Sequence, residues 1–381
     1  MKLFDVYPLI PVTIAKADGA KLWDEQGQEY LDLYGGHAVI SIGHTHPHYV
    51  KRIKDQLNQV AFYSNSVQIP IQQEYAEKLG NLSGYPEYEL FLCNSGAEAN
   101  ENAIKLASFA TGRSGFIAFS GSFHGRTSGA VALTDNPKIV APCNAREDFH
   151  ILPWADLNAV EETLKSNEIA GIIIEGIQGV NGIQVPSPDF LKGLASLAHQ
   201  YGTKLILDEV QSGFGRTGKF FAHQLVDGIK PDIISMAKGM GNGFPIGGIL
   251  ISPEFKATYG LLGTTFGGNH LACAAALAVV EVIEEECLLS NAAKLGEQLL
   301  EELNEIPEIT GIRGTGLMIG IDLDREAGPV RSELVKKYHM FTGSAAGKNT
   351  IRLLPPLNIG WNQLNSFLSA LKEILSQSPS S

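Results

Sequence analysis

Short apolar runs alternate with helix-periodic stretches through the middle of the chain. "GIIIE" (171–175) and "KLILDE" (204–209) are apolar without alternation, the pattern of strands buried on both faces. "YELFLCNSG" (88–96), "GFIAFSGSFHG" (115–125), "PDIISMAKG" (231–239) and "IGGILIS" (246–252) end similarly in glycine turns or loops. Between them lie the helical patterns "AEANENAIKLASFA" (97–110) and "PDFLKGLASLAHQYG" (188–202). Strand–helix–strand order predicts an α/β fold with a mainly parallel central sheet and helices on both faces.

From about Thr265 the texture changes. "HLACAAALAVVEVIEEE" (270–286) and "SNAAKLGEQLLEELNEI" (290–306) read as helices, "IRGTGLMIGIDL" (312–323) and "IRLLPPLNIG" (351–360) as strands, and "WNQLNSFLSALKEIL" (361–375) as a last helix. This is the pattern of a smaller α+β domain. The stretch "AKLWDEQGQEYLDLYGG" (20–36) reads as a β-hairpin turning at Gln26-Gly27, and the final "SQSPSS" as a frayed tail.

Composition narrows the class of partner. The 381 residues carry a formal charge of -12, and no Lys/Arg block interrupts them, which speaks against nucleic acid and anionic membranes. The N-terminus "MKLFDVYPLIPV" is no secretory h-region, and "LACAAALAVV" is too short to span a bilayer. Cys93, Cys143, Cys273 and Cys287 show no paired spacing, as expected for reduced thiols of a cytoplasmic protein.

The polar residues collect where the predicted strands end, which in open parallel sheets is where ligands bind. Asn94, Ser95, Gly96 and Ala97 join a strand to a helix, and free N–H groups there would cup a phosphate. Asp208 and Glu209 end a buried strand, where a carboxylate needs a cation or metal. Gly213 to Lys219 nearly matches a phosphate loop, but Phe220 replaces the magnesium-binding hydroxyl and no helix pattern separates the loop from the acidic strand. His44, His46 and His48 alternate like metal ligands, but Pro47 interrupts them, so a turn is expected and no metal. Phe123, His124 and Arg126 follow a strand in a glycine-rich loop; a guanidinium there can grip a carboxylate. Arg352 is a cation inside an apolar strand, suited either to a buried ion pair or to a substrate carboxylate. Lys238 is the single charge in "ISMAKGMGNGFPIGG" (234–248); held out of water, its amine would titrate low and act as a nucleophile.

One ligand uses all of these at once. Pyridoxal 5′-phosphate needs a lysine for its aldehyde and an acid beside its pyridine nitrogen, here Lys238 and Asp208, with Phe123 stacked on the ring.

"NSGAEANE", "FHGRT", "LDEVQSGFGRTG", "MAKGMGNGFPIGG" and "GTTFGGN" occur in the order and spacing of the class-III, ornithine-type aminotransferases, fold type I among pyridoxal-phosphate enzymes, which the chain resembles over nearly its whole length. The resemblance implies a large cofactor-binding domain over 46–265 and a small domain from 1–45 and 266–381. It implies that Lys238 bonds to the cofactor, Asp208 faces the pyridine nitrogen, Gln211 approaches the ring hydroxyl and Val210 packs opposite Phe123. Ser95, Gly96 and Ala97 match the phosphate turn. Thr265 becomes a phosphate ligand reached from a neighbouring subunit and Thr264 a substrate contact, so a homodimer with shared sites is implied. Arg126 and Arg352 become clamps for the carboxylates of an acylornithine and of glutamate. The implied reaction moves the terminal amine of N-acetylornithine to 2-oxoglutarate. N-Succinylornithine or another ω-amine is the alternative donor, and an aminomutase the alternative reaction.

Two positions depart from the family. Glu175-Gly-Ile-Gln-Gly-Val180 carries valine where the family has a second glutamate, the one that neutralises the glutamate-binding arginine; Arg352 is expected to stay unmasked. His37 in "YGGHAV" stands where related enzymes often carry an aliphatic residue; it is either a hydrogen-bonded loop histidine or a polar or cationic group suited to an acyl chain ending in carboxylate.

Overall fold

A computed structural model describes residues 1–377. Seven strands form the central sheet, in the spatial order Glu89–Cys93, Gly247–Ile251, Ile233–Met236, Lys204–Asp208, Ile169–Glu175, Gly115–Phe119, Phe149–Leu152. All but one run the same way; Gly247–Ile251 is antiparallel to both neighbours. The reason lies in its connection. Residues 237–246 between Met236 and Gly247 contain no crossover helix, and a parallel return needs a dozen or more residues.

The unalternating runs are buried on both faces, as their composition predicts. Ile117, Phe119, Ile172, Ile174, Leu205 and Leu207 join one core with Leu164, Phe190 and Leu194 of the helices Leu157–Ser166 and Pro188–Tyr201. The intervening Phe116, Ala118, Ile173 and Ile206 join another with Ala99, Ala103 and Ala107 of the helix Gly96–Thr111. Alanine spacing on that helix lets its backbone lie close over the sheet.

Two small sheets complete the chain. Ile14–Asp18, Lys21–Asp24 and Glu29–Asp32 form the expected hairpin and a third strand; Gly27 takes φ 82 at the turn, and Met340–Phe341 adds in parallel to Glu29–Asp32. The other sheet is antiparallel, with Ile309–Thr315, Met318–Leu323, Thr350–Leu353 and Gly343–Ser344 in that order. The run 312–323, read as one strand, is therefore a hairpin, turned at Gly316 with φ 56. The helices Leu288–Asn304 and Ala327–Tyr338 back this sheet, and Trp361–Ser376 packs on both of them. Of the "SQSPSS" tail, Ser376 ends the last helix and Gln377 caps it; residues 378–381 lie outside the described residues.

Pattern reading passed over the helices Leu157–Ser166 and Ala327–Tyr338, and also Pro47–Gln59 and Pro70–Ser83, the last two each opened by a proline at its first position. These last two pack on His270–Glu285. Among the described residues no helix is long and apolar enough to cross a membrane.

Candidate active site

The carboxyl ends of the parallel strands open into a cleft of about 450 Å³. Ser95, Gly96, Ala97, Phe123, Arg126, Asp208, Val210, Gln211 and Lys238 all line it. Glu175 at the end of its strand lines it too, with Val180 in the loop beyond.

The helix Gly96–Thr111 points its N-terminus at the cleft. Ser95 caps it, its Oγ accepting from Glu98 N at 3.2 Å, and Glu98 turns back to accept from Asn94 N at 2.8 Å. The N–H groups of Gly96 and Ala97 have no protein acceptor among the described residues, as at any open helix start. Packing is tight here. A Cβ on Gly96 would lie 2.6 Å from Cγ1 of Val210, and one on Gly247 would lie 2.6 Å from the Ser95 carbonyl.

Asp208 is 4% exposed and sits in a net of donors. Its Oδ2 accepts from Asn100 Nδ2 at 2.7 Å and lies 2.8 Å from His124 Nδ1, and its Oδ1 accepts from Val210 N at 3.0 Å. The other imidazole nitrogen of His124 is buried without a partner among the described residues. Glu209, the second acid of the strand end, points away. It accepts from Ser212 Oγ and from the backbone of Ala222 and His223, so it braces the following loop instead of the cleft.

Lys238 follows the strand Ile233–Met236 in the left-handed region, at φ 46. Its loop is tied to the N-terminal segment: Ser41 Oγ donates to the Gly239 carbonyl at 2.7 Å, Asn242 accepts from Ser41 N, and Tyr49 donates to the Gly241 carbonyl. Burial pulls the Lys238 amine below the ordinary lysine range; Arg352 pushes the same way, while Asp208 and Glu175 oppose. Burial raises Glu175 to about 7, with Asp208 adding to the rise and His124 and the N–H groups of Gly179 and Phe123 opposing it.

Arg126 is exposed at the cleft rim. Arg352 stands behind the wall, 4% exposed, and no carboxylate partners it among the described residues. It donates instead to the Ser344 carbonyl, to Gln211 Oε1 at 3.4 Å and to Tyr34 OH at 3.2 Å. The chain does not bring its own Thr264 and Thr265 into the cleft. Thr264 lines a second cavity of about 740 Å³ and bonds to Asn94; Thr265 is exposed.

The two decoys resolve differently. Arg216 in the near phosphate loop is 2% exposed and donates to the Ile40 and Pro355 carbonyls, and turns follow where a phosphate loop has a helix. His44, His46 and His48 pair with three separate carboxylates, Asp32, Glu286 and Glu281.

The family description "Aminotransferase class-III" matches residues 5–375. The chain belongs to the class-III aminotransferases. It is 42% identical over 361 residues to the acetylornithine aminotransferase of Archaeoglobus fulgidus, covering 94% of each protein. Its fold matches an acetylornithine aminotransferase from Elizabethkingia anophelis with TM-score 0.83 and 29% identity, over 97% of this chain and 94% of that one. It also matches an ornithine aminotransferase from Toxoplasma gondii, described with PLP at partial occupancy in its active site, with TM-score 0.88 and 28% identity over 97% and 91%.

Within this class-III site the sequence reading missed the partners of Asp208. His124 stood in a quoted motif, but its bond to a residue 84 positions away has no local signal. Asn100 lies four residues after Gly96, hence on the same helix face, and that periodicity was the available clue. His37 takes the hydrogen-bonded loop position that was one of its two readings. Its ring bonds to Tyr34, and desolvation, with Arg352 and Lys238 nearby, lowers its pKa, which works against a cationic form.

Proposed function

We propose that this chain transfers the terminal amine of N-acetylornithine to 2-oxoglutarate, releasing N-acetylglutamate 5-semialdehyde and glutamate, a step of arginine biosynthesis. The enzyme is a pyridoxal-phosphate-dependent aminotransferase. The observation that carries this reading is a single lysine, Lys238, whose amine is pulled toward neutrality by burial in the cleft that Asp208 also lines.

The residues fit the cofactor. The free N–H groups of Gly96 and Ala97 suit a phosphate, the unpartnered Nε2 of His124 is an orphan polar atom beside Asp208, and Phe123 and Val210 offer apolar faces. Ser95 holds the helix start, and Gln211 is the polar side chain available to the ring hydroxyl. When bound, the cofactor supplies an aldehyde that bonds amines and a ring that draws in electrons from the adjacent carbon. Asp208 then answers the positive charge at the pyridine nitrogen. A neutral Lys238 amine would take the proton from the amine-bearing carbon of the substrate and return it on the far side of the nitrogen, as general base and then acid. Arg126 binds the carboxylate of the acylornithine at the rim, and Arg352 that of the dicarboxylate.

Homodimer formation completes the site in this reading. Thr265 reaches the phosphate, and Thr264 the substrate, of a neighbouring subunit. What supports the pairing is the exposed apolar surface beside the second cavity: Leu57, Val60, Phe62, Tyr63 and Phe266, with Phe62 and Phe266 rings 5.4 Å apart. A cytoplasmic location accords with four free thiols.

The test is a donor panel with 2-oxoglutarate, scored by glutamate release. N-Acetylornithine should give the highest kcat/KM. A preference for another ω-amine, or turnover without 2-oxoglutarate, contradicts the proposal.

A further inference from the structure

A buried guanidinium without a carboxylate is costly, because neutral oxygens offset only part of its lost hydration. Arg352 is in that position, and the arrangement that holds it converges on His37. Tyr34 OH accepts from Arg352 Nη2 at 3.2 Å and lies 2.5 Å from His37 Nδ1. Gln211 Oε1 takes Arg352 Nη1 at 3.4 Å, and Gln211 Nε2 donates to the His37 carbonyl at 3.2 Å. Both side chains that touch Arg352 are therefore anchored on one residue.

Arginine only donates, so Tyr34 is the acceptor there; in the His37 tautomer that leaves Nδ1 without hydrogen, the Tyr34 hydroxyl donates to it. Burial raises the Tyr34 pKa, which keeps that phenolic proton in place. The backbone is built for this contact. Gly36 and His37 take φ 56 and 69, a conformation that brings the imidazole edge-on to the Tyr34 ring, with centroids 4.8 Å apart. Val180 supplies no charge in the neighbouring loop, although that loop is close: a Cβ on Gly179 would lie 3.6 Å from Arg352 Nη1.

We propose that His37 is a positioning residue which, through Tyr34 and Gln211, holds Arg352 in an uncharged cradle as the clamp for a dicarboxylate. No internal acid has to be displaced when the ligand binds. The aligned fork of N–H groups and the uncompensated charge are both maintained by neutral oxygens. This inference rests on the reading of Arg352 as the 2-oxoglutarate clamp, and its test separates the two.

The holoenzyme is titrated calorimetrically with glutarate, a dicarboxylate of matching length without the carbonyl that accepts an amine. Glycine is the clean deletion at position 37 because it tolerates φ 69, and asparagine is the conservative replacement because it also enters that region and offers an acceptor. His37→Gly and Tyr34→Phe should each weaken glutarate about tenfold, the loss expected for one hydrogen bond to a charged group. The double variant should be no weaker than either single one, because both remove the same link. His37→Asn should restore most of the affinity. In steady state the loss should fall on KM for 2-oxoglutarate and leave kcat within about twofold. Wild-type glutarate affinity in His37→Gly and Tyr34→Phe, with Arg352→Ala unable to bind, overturns the role of His37 alone. Wild-type affinity in Arg352→Ala overturns the clamp itself, and this inference with it.

Discussion

Asn100, one turn inside the helix that begins at Gly96, donates to Oδ2 of Asp208 at 2.7 Å, and His124 Nδ1 lies 2.8 Å from the same oxygen. The carboxylate is thus oriented by a helix and a loop that meet only in the folded chain. Asn100→Ala removes one donor to a buried charged group, and kcat/KM should fall about tenfold. Asp208→Asn keeps the shape and removes the negative charge, so kcat should fall by about 100-fold or more while cofactor is still retained. Steady-state kinetics with absorbance of the bound cofactor checks both.

Gly96 has no room for a side chain. A methyl there would come 2.6 Å from Cγ1 of Val210, a stiff β-branched residue that also lines the cleft. Gly96→Ala should displace Val210 or the helix start, and weaken cofactor binding about tenfold with little change in melting temperature of the cofactor-free protein. Equilibrium dialysis against the cofactor measures it.

Glu175 gives the stability a pH dependence of definite sign. Its folded pKa is about 7 against 4.5 for the free side chain, because burial and Asp208 disfavour its anion. The contribution is complete below about 4.5 and is lost as pH rises through about 7, where the buried group ionises. The full loss is on the order of 3 kcal/mol. Glu175→Gln should flatten this segment of the stability curve in denaturant titrations of the cofactor-free protein. An unchanged slope would show that Glu175 titrates elsewhere.

Val180 leaves the wall near Arg352 uncharged. Val180→Glu places a carboxylate in the loop that approaches the guanidinium, and an ion pair there competes with the substrate. KM for 2-oxoglutarate should rise about tenfold, with a smaller effect on donors lacking a second carboxylate. Unchanged kinetics with every substrate would mean that position 180 does not reach Arg352.

The central sheet was legible in the sequence because double burial removes alternation, as in "GIIIE" and "KLILDE". The antiparallel direction of Gly247–Ile251 was not, since direction is set by the connection and not by composition. Lys238 and Asp208 were legible because each is a charge at the end of an apolar strand, where solvent alone gives it no reason to be. Asn100, His124 and the Tyr34–His37–Arg352 series were not. Apart from the local Tyr34–His37 pair, they are contacts between residues 84 to 318 positions apart, which tertiary packing brings together. Glu209 and Arg216 show the converse: conspicuous in sequence, both serve the frame, one bracing a loop and the other tying it to the Ile40 and Pro355 carbonyls.

Lys238 is the residue on which the chemistry turns. Holoenzyme reduced with borohydride and digested should yield one peptide carrying the reduced cofactor, with the added mass on Lys238, and Lys238→Ala should yield none and fail to release glutamate from any donor. Cofactor mass on a different lysine, or full transamination by Lys238→Ala, would contradict it.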